Sequence, residues 1–360
     1  MTPPRTSRFA RLLPHPDTVA RWRTIARERR LGAYALLAGI VGALVLAYAA
    51  LAGAFSTGLT PARIVDRQQG PSPHAGFRRA HAKGICVEGV FRSSGDAARY
   101  SVAQVFAQGT TPISGRFSIG GNNPTAPDLR AGVRSLALEF RLPSGERWRT
   151  AMNTNPILPI RDPEGFYAQL AAMAPDPATG KPSPARIRAF FASRPESAAF
   201  RAWQAQYTPT GSFATERYHA INAFWLVDAR GQRQAVRWRL LPMATDATPA
   251  SDSPDALQED LVARLARGPV QFRLNLVLAA EGDPIDDPSQ PWPESRPQVD
   301  AGVVELSRAT PQRDGQCNVT NFDPLVLPRG IVPSLDPILH ARSAAYAESQ
   351  RRRATEEAQR

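Results

Sequence analysis

From Leu31 to Phe55 the chain carries 25 residues without a charge, only Gly, Ala, Leu, Val, Ile, Tyr and Phe. About 20 residues in helix cross the hydrocarbon core, so this run predicts one N-terminal transmembrane helix. A buried core helix is excluded by the length and uniformity of the run. A secretory signal, with an apolar stretch of only about 7 to 15 residues, is the other reading, and Ala50 to Ala54 would be its cleavage site. Past a short linker at Ser56 to Leu59 the pattern changes. Thr60-Pro61 reads as N-cap and first helical residue, with Ile64 and Val65 on the apolar face and Gly70-Pro71-Ser72-Pro73 as the stop.

The next part of the chain is extended. Ile85 to Arg92, Gly115 to Ile119, Val133 to Arg141, Arg147 to Asn153, His219 to Val227, Gln234 to Leu241, Val270 to Ala279 and Val303 to Ser307 are strand-like. Gln271 to Leu276 alternates strictly, whereas Val133 to Arg141 has one step out of phase. Hairpin turns stand at Pro143-Ser144-Gly145 and at Asp228 to Gly231. Helices are predicted from Ser183-Pro184 through Phe191, from Pro195-Glu196 through Gln206, over Asp255 to Leu265, and from Pro337 onward behind a cap at Ser334 to Asp336. Eight strands with hairpin turns suggest a closed antiparallel barrel, which leaves no exposed edge.

Charge adds a direction. Of the formal excess of +12, half falls before residue 31, where eight arginines stand against Asp17 and Glu28. By the positive-inside rule this leader stays in the cytoplasm and everything after Phe55 lies outside a bacterial inner membrane, in the periplasm. The rest of the chain has no zinc spacing and no basic helix, so nucleic acid is not an expected partner. Cys86 and Cys317 both fall in the exported part. An oxidising compartment permits a disulfide between them, and two buried free thiols are the alternative.

Candidate chemistry gathers around His81, one of five histidines, in Arg78-Arg79-Ala80-His81-Ala82-Lys83-Gly84. Near the other end, Arg342 and Tyr346 are four apart and share a helix face, where the guanidinium favours phenolate over phenol. Between them lie Arg116-Phe117-Ser118, Met152-Asn153-Thr154-Asn155-Pro156, Ile160-Arg161-Asp162-Pro163 and Asn321-Phe322-Asp323-Pro324. In order and spacing these segments resemble the haem catalases, in particular the short catalase-related peroxidase branch, over roughly residues 60 to 353.

The resemblance implies an α+β fold, an eight-stranded antiparallel barrel with flanking helices, as residues 60–353, followed by a tail at 354–360. It implies haem b with Tyr346 as the iron ligand, backed by Arg342, and His81 as distal base with Asn153 orienting the peroxide. Ser118 would fix the imidazole, Arg78, Arg116 and Arg353 would pair with the propionates, and Phe166 would pack over the distal face. Arg351 and Arg352 remain alternatives to Arg353. Against the large catalases the chain ends 14 residues after Tyr346, so the resemblance implies neither their C-terminal helical domain nor bound NADPH. Ile157-Leu158-Pro159 stands where they carry an aromatic-rich stretch. The expected activity is reduction of hydrogen peroxide, with organic peroxides as further candidates, by small-molecule reductants, and weak catalase activity retained. A hydroperoxide-rearranging haem enzyme of the same fold and a non-catalytic haem-binding or electron-transfer protein are the competing readings. A homo-oligomer stays open.

Overall fold

The computed structural model describes residues 58–71, 73–248 and 251–359, together with 32, 34, 36–45 and 47; the basic leader and both flanks of the apolar run lie outside the described residues. The chain divides after Thr60 into two units. In the first, residues 36–45 are helical, and Leu36, Leu37, Ile40, Val41, Leu44 and Val45 are all exposed. Among the described residues no helix is long and apolar enough to cross a membrane.

The second unit is built on ten strands: β1 (Gly84–Ser93), β2 (Gly109–Ile119), β3 (Arg134–Arg141), β4 (Arg147–Asn153), β5 (Tyr218–His219), β6 (Phe224–Val227), β7 (Arg233–Pro242), β8 (Val270–Leu278), β9 (Gln298–Pro311) and β10 (Ile331–Pro333). All pairings are antiparallel. The order β1-β2-β3-β4-β5-β7-β8-β9 returns to β1, so eight strands close the expected barrel, and β6 with β10 extends one side of β7. Six helices flank it: α1 (Pro61–Gln69), α2 (Pro163–Met173), α3 (Pro184–Ala192), α4 (Ala198–Gln206), α5 (Ala256–Leu265) and α6 (Pro337–Ala358).

Alternation sends one face of each strand inward. Leu136, Leu138 and Phe140 of β3 point into the barrel beside Phe117, Trp148, Met152, Trp238 and Phe272, and all are almost fully buried. Trp148 stacks on Phe140 with centroids 4.5 Å apart and meets Trp238 edge-on at 5.1 Å. Truncating one such ring to alanine costs roughly 3–5 kcal/mol. The out-of-phase step in β3 is thereby resolved. Ala137 belongs to the outer face, opposite Ala151 of β4 and Arg116 of β2.

The outer face of β1 to β4 is what positions the site. One cross-strand row there reads Gly84, Ser118, Ser135, Asn153, and the next reads Cys86, Arg116, Ala137, Ala151. Where the inner face is filled with aromatic rings, this one is floored by small side chains. A Cβ on Gly84 would meet the Phe117 carbonyl and lie 2.7 Å from the Arg116 guanidinium carbon, so only glycine leaves that guanidinium its place. The floor is roofed by α6, whose Arg342 Nη2 donates to the Ala151 carbonyl at 2.9 Å.

Candidate active site

The helix α6 begins with Asp336, whose side chain accepts from the Ile338 amide at 2.8 Å, and Pro337 occupies the first turn without losing a bond. From that start Arg342, Tyr346, Ser349 and Arg353 fall at steps of four, three and four, on one stripe. Tyr346, Ser349 and Arg353 line one cavity together with Arg78, His81, Arg116, Ser118, Ser135, Ala137, Ala151, Asn153 and Phe322. An adjoining cavity shares His81, Asn153 and Tyr346 and adds Arg342, Ile64, Leu158, Phe166, Ile221 and Ile338. Every residue expected at the site therefore lines one of these two cavities. Arg351 and Arg352 do not: Arg351 is exposed and pairs with Glu348, and Arg352 bridges Glu348 and Asp66.

Tyr346 is reached by Arg342 Nη2 at 3.4 Å. Arg342 in turn donates to Asn222 Oδ1, and Asn222 Nδ2 donates to the Asp336 carboxylate at 2.5 Å. The carboxylate that caps the helix thus also orients the guanidinium behind the phenol. Burial raises the Asp336 pKa above the ordinary carboxylate value, although Asn222 and the backbone amides of the first turn oppose the shift.

His81 sits in the left-handed region at φ 55°, the only residue other than glycine with positive φ among the described residues. That conformation costs of order 1–3 kcal/mol and persists where surroundings enforce it. Here Arg116 Nη2 donates to the His81 carbonyl at 2.9 Å and to the Ala82 carbonyl at 3.2 Å, and the Ala82 amide is bound by Gly121. The imidazole is held neutral. Burial, then Arg116, Arg342 and Arg78, lower its pKa from 6.5 to about 4.

The hydroxyl beside the imidazole is that of Ser135, 3.2 Å from His81 Nδ1, and not that of Ser118. Register explains the correction, because Ser118 and Ser135 are directly opposite across β2 and β3, and both are buried in the same floor. Ser135 donates its proton to Asn153 Oδ1, so its lone pair remains to accept from His81 Nδ1–H. In that tautomer the neutral ring would carry its free lone pair on Nε2.

Arg78, Arg116 and Arg353 lie close enough for one to depress another's pKa, and Glu357 and Glu356 oppose the shift only at Arg353. The Arg78 pKa lies well below the ordinary guanidinium value through burial, then Arg116 and Arg353. Arg116 is lowered to about 9 by burial and Arg353. Arg353 is lowered chiefly by burial. Arg78 Nη1 and Arg353 Nε are buried with no hydrogen-bond partner. Unpartnered buried donors of one sign are costly, and an anion with two carboxylates would satisfy them. Phe166, at the start of α2, is half-buried in an apolar cluster with Ile160, Phe190 and Ile338.

Cys86 and Cys317 form a disulfide, with Cα atoms 5.4 Å apart. Of the alternatives left open by the sequence, the structure has the bridge.

The family model described as Catalase matches residues 74–360. The chain is 36% identical over 323 residues to a "Catalase-related peroxidase" of Synechococcus elongatus, covering 88% of this chain and 94% of that protein. A protein of the same description from Mycolicibacterium paratuberculosis is 35% identical over 302 residues, covering 82% of this chain and 95% of the relative. A solved bacterial catalase matches with a TM-score of 0.69 at 24% identity, over 78% of this chain and 58% of that one, a likeness of fold. Barrel, helices and the span of these matches agree, and the chain belongs to the catalase family.

Proposed function

We propose that this chain is a haem-dependent peroxidase that reduces hydrogen peroxide and organic peroxides with small-molecule reductants and retains weak catalase activity. Residues 31–55 hold it in a bacterial inner membrane with the catalytic unit in the periplasm. Peroxide as substrate is supported by the two relatives whose names describe catalase-related peroxidases. The reading takes neither NADPH nor nucleic acid as a partner.

One observation carries it: a buried arginine trio, a neutral imidazole and a phenol backed by a guanidinium all line one cavity. The residues fit haem b. The unpartnered donors of Arg78 and Arg353, with Arg116 beside them, suit the two propionates, since a guanidinium forks onto a carboxylate. The small side chains of Ala137 and Ala151 leave a flat floor for a macrocycle, and Tyr346 is the ligand type of catalase iron. Bound haem supplies an iron centre that accepts the oxidising equivalents of peroxide and passes them to a donor.

The chain's own residues do the remaining work. His81 Nε2 would take the proton from one oxygen of the peroxide and return it to the other, which departs as water or, from an organic peroxide, as the alcohol; the oxygen left behind is reduced to water by two electrons and two protons from the donor. Asn153, whose Oδ1 is occupied by Ser135, has its amide protons left to hold the peroxide. A surface depression of about 1000 Å³ opens beside His81, lined by Phe166, Leu170 and Met173 together with Arg63, Asp66 and Arg67. A depression of that volume would admit organic peroxides as well as hydrogen peroxide.

An absorption spectrum of the purified protein after haem addition tests the assignment. A Soret band with ferric tyrosinate character, together with donor oxidation on adding hydrogen peroxide, is expected. A fatty-acid hydroperoxide converted to a rearranged product without any donor being oxidised would reject the peroxidase reading.

A further inference from the structure

Two of the three arginines that face the cofactor's anionic edge are aimed by the carbonyls of one short turn. Arg78 Nη2 donates to the carbonyls of Cys317 and Thr320, both at 2.8 Å, and Arg353 Nη1 donates to the carbonyl of Asn318 at 2.6 Å. Internally the segment is organised by one turn of 3₁₀ helix, Gln316–Asn318, and by the Thr320 amide and hydroxyl, which both donate to the Gln316 carbonyl. The residue after that helical turn, Val319, is 54% exposed. Among the described residues no hydrogen bond joins 315–320 to a barrel strand.

The fastening is covalent. Cys317 is bonded to Cys86, which lies on the outer face of β1 directly opposite Arg116. Gly315 lets the turn lie this close, because a Cβ there would run into Cys86 Sγ. Cys86, Cys317 and Phe322 pack as one small cluster against Ala137 of the cavity floor.

We propose that the Cys86–Cys317 disulfide is a positioning element of the cofactor site, pinning residues 315–320 to β1 so that Arg78 and Arg353 are aimed at the carboxylates of the bound porphyrin. The inference rests on the haem reading. Charge-assisted hydrogen bonds are short and directional, so a turn released from the barrel loses them before the barrel loses its fold. Both sulfurs are buried, Cys86 at 4% and Cys317 at 2% exposure, and the bridge acts through the arginines without touching the reacting atoms.

The test uses the full chain and two probes, haem and haem dimethyl ester, whose propionates are esterified and carry no charge. Loss of each porphyrin to an excess of apomyoglobin is followed by its Soret band in wild type and in a Cys86→Ala, Cys317→Ala double variant. Haem is expected to leave the double variant roughly tenfold faster or more, the loss of about one hydrogen bond to a charged group. The dimethyl ester is expected to leave both proteins at the same rate. Equal acceleration for both porphyrins, as a merely structural bridge would give, overturns the inference, and so does unchanged haem loss. If the double variant fails to fold, wild-type protein folded under reducing conditions, with two free thiols confirmed by titration after unfolding, gives the same comparison. A wild-type chain that retains neither porphyrin overturns the haem reading itself, whereas firm retention indifferent to the bridge overturns only this inference.

Discussion

Burial is the largest cause of the depressed His81 pKa, and the positive charges of Arg116, Arg342 and Arg78 follow it. A general base must be neutral at its working pH, so turnover is expected to depend on a group titrating near about 4 in place of the ordinary 6.5. As pH falls, kcat/KM should stay level well below 6 and then drop with the slope of one proton; a fall centred at 6.5 would mean that the ring is bathed in water. The same shift has a sign for stability. Between 6.5 and about 4 the unfolded chain takes up a proton that the folded imidazole refuses, so this group's contribution is present above 6.5 and is lost as pH descends through that window. His81→Ala is expected to cut peroxide turnover by about 10²–10⁴ with the Soret band kept, as read by stopped-flow and absorption. His81, Asn153, Arg116, Arg342 and Tyr346 were legible because each stands in a local motif with its own spacing. Ser135 was not. Its place at the imidazole depends on which residue of β3 faces Ser118, and cross-strand register has no local signature in the chain.

Elements with a strong period or a cap were legible, and short or bent ones were not. The start of α6 was readable from Asp336-Pro337, and its face from the spacing of Arg342, Tyr346 and Arg353. His219 to Val227 reads as one strand but breaks into β5 and β6: the Ala220 amide still bonds to Trp238 in the β5 register, and the chain then bulges so that Phe224 pairs with Val236 in a register shifted by two residues. The three-residue β10 has too few positions to show a period. The helix α2 escaped although Asp162-Pro163 is a cap and first-turn signal, with the Asp162 side chain accepting from Gly165 at 2.6 Å; Gly165 in the first turn weakens the propensity that would have announced it. For α6 the cap does two jobs, starting the helix and holding Asn222 against Arg342. Asp336→Ala is therefore expected to cost about 1–2 kcal/mol and to lower the melting temperature by roughly 2–6 °C. Calorimetry on the variant checks this, and an unchanged transition would show that neither the cap nor the Asn222 contact matters to the fold.

The chain as a whole combines a closed barrel with an N-terminal apolar run. Residues 36–45 are helical and expose six large aliphatic side chains, a surface that water does not favour. If helix extends over all 25 residues of Leu31 to Phe55, it reaches about 37 Å against a hydrocarbon core of about 30 Å, so the run is long enough to span with some tilt. In the anchored reading, eight leader arginines against two acids would set the direction, since basic segments stay on the cytoplasmic side. The disulfide points the same way, because a bridge between residues 231 apart in sequence persists where thiols are kept oxidised. Expressed in a Gram-negative host, the full chain is expected to sediment with membranes and to resist extraction by alkaline carbonate. Protease added to spheroplasts should reach the catalytic unit without lysis, and a chain beginning at Gly58 should be released to the soluble fraction with its Soret band and turnover unchanged. Carbonate extraction of an intact chain would mean that the run lies on the bilayer or against protein without crossing it. A new amino terminus near Ala54 would mean that the run is an export signal removed after use, in which case the peroxide chemistry would stand and only the anchor would be withdrawn.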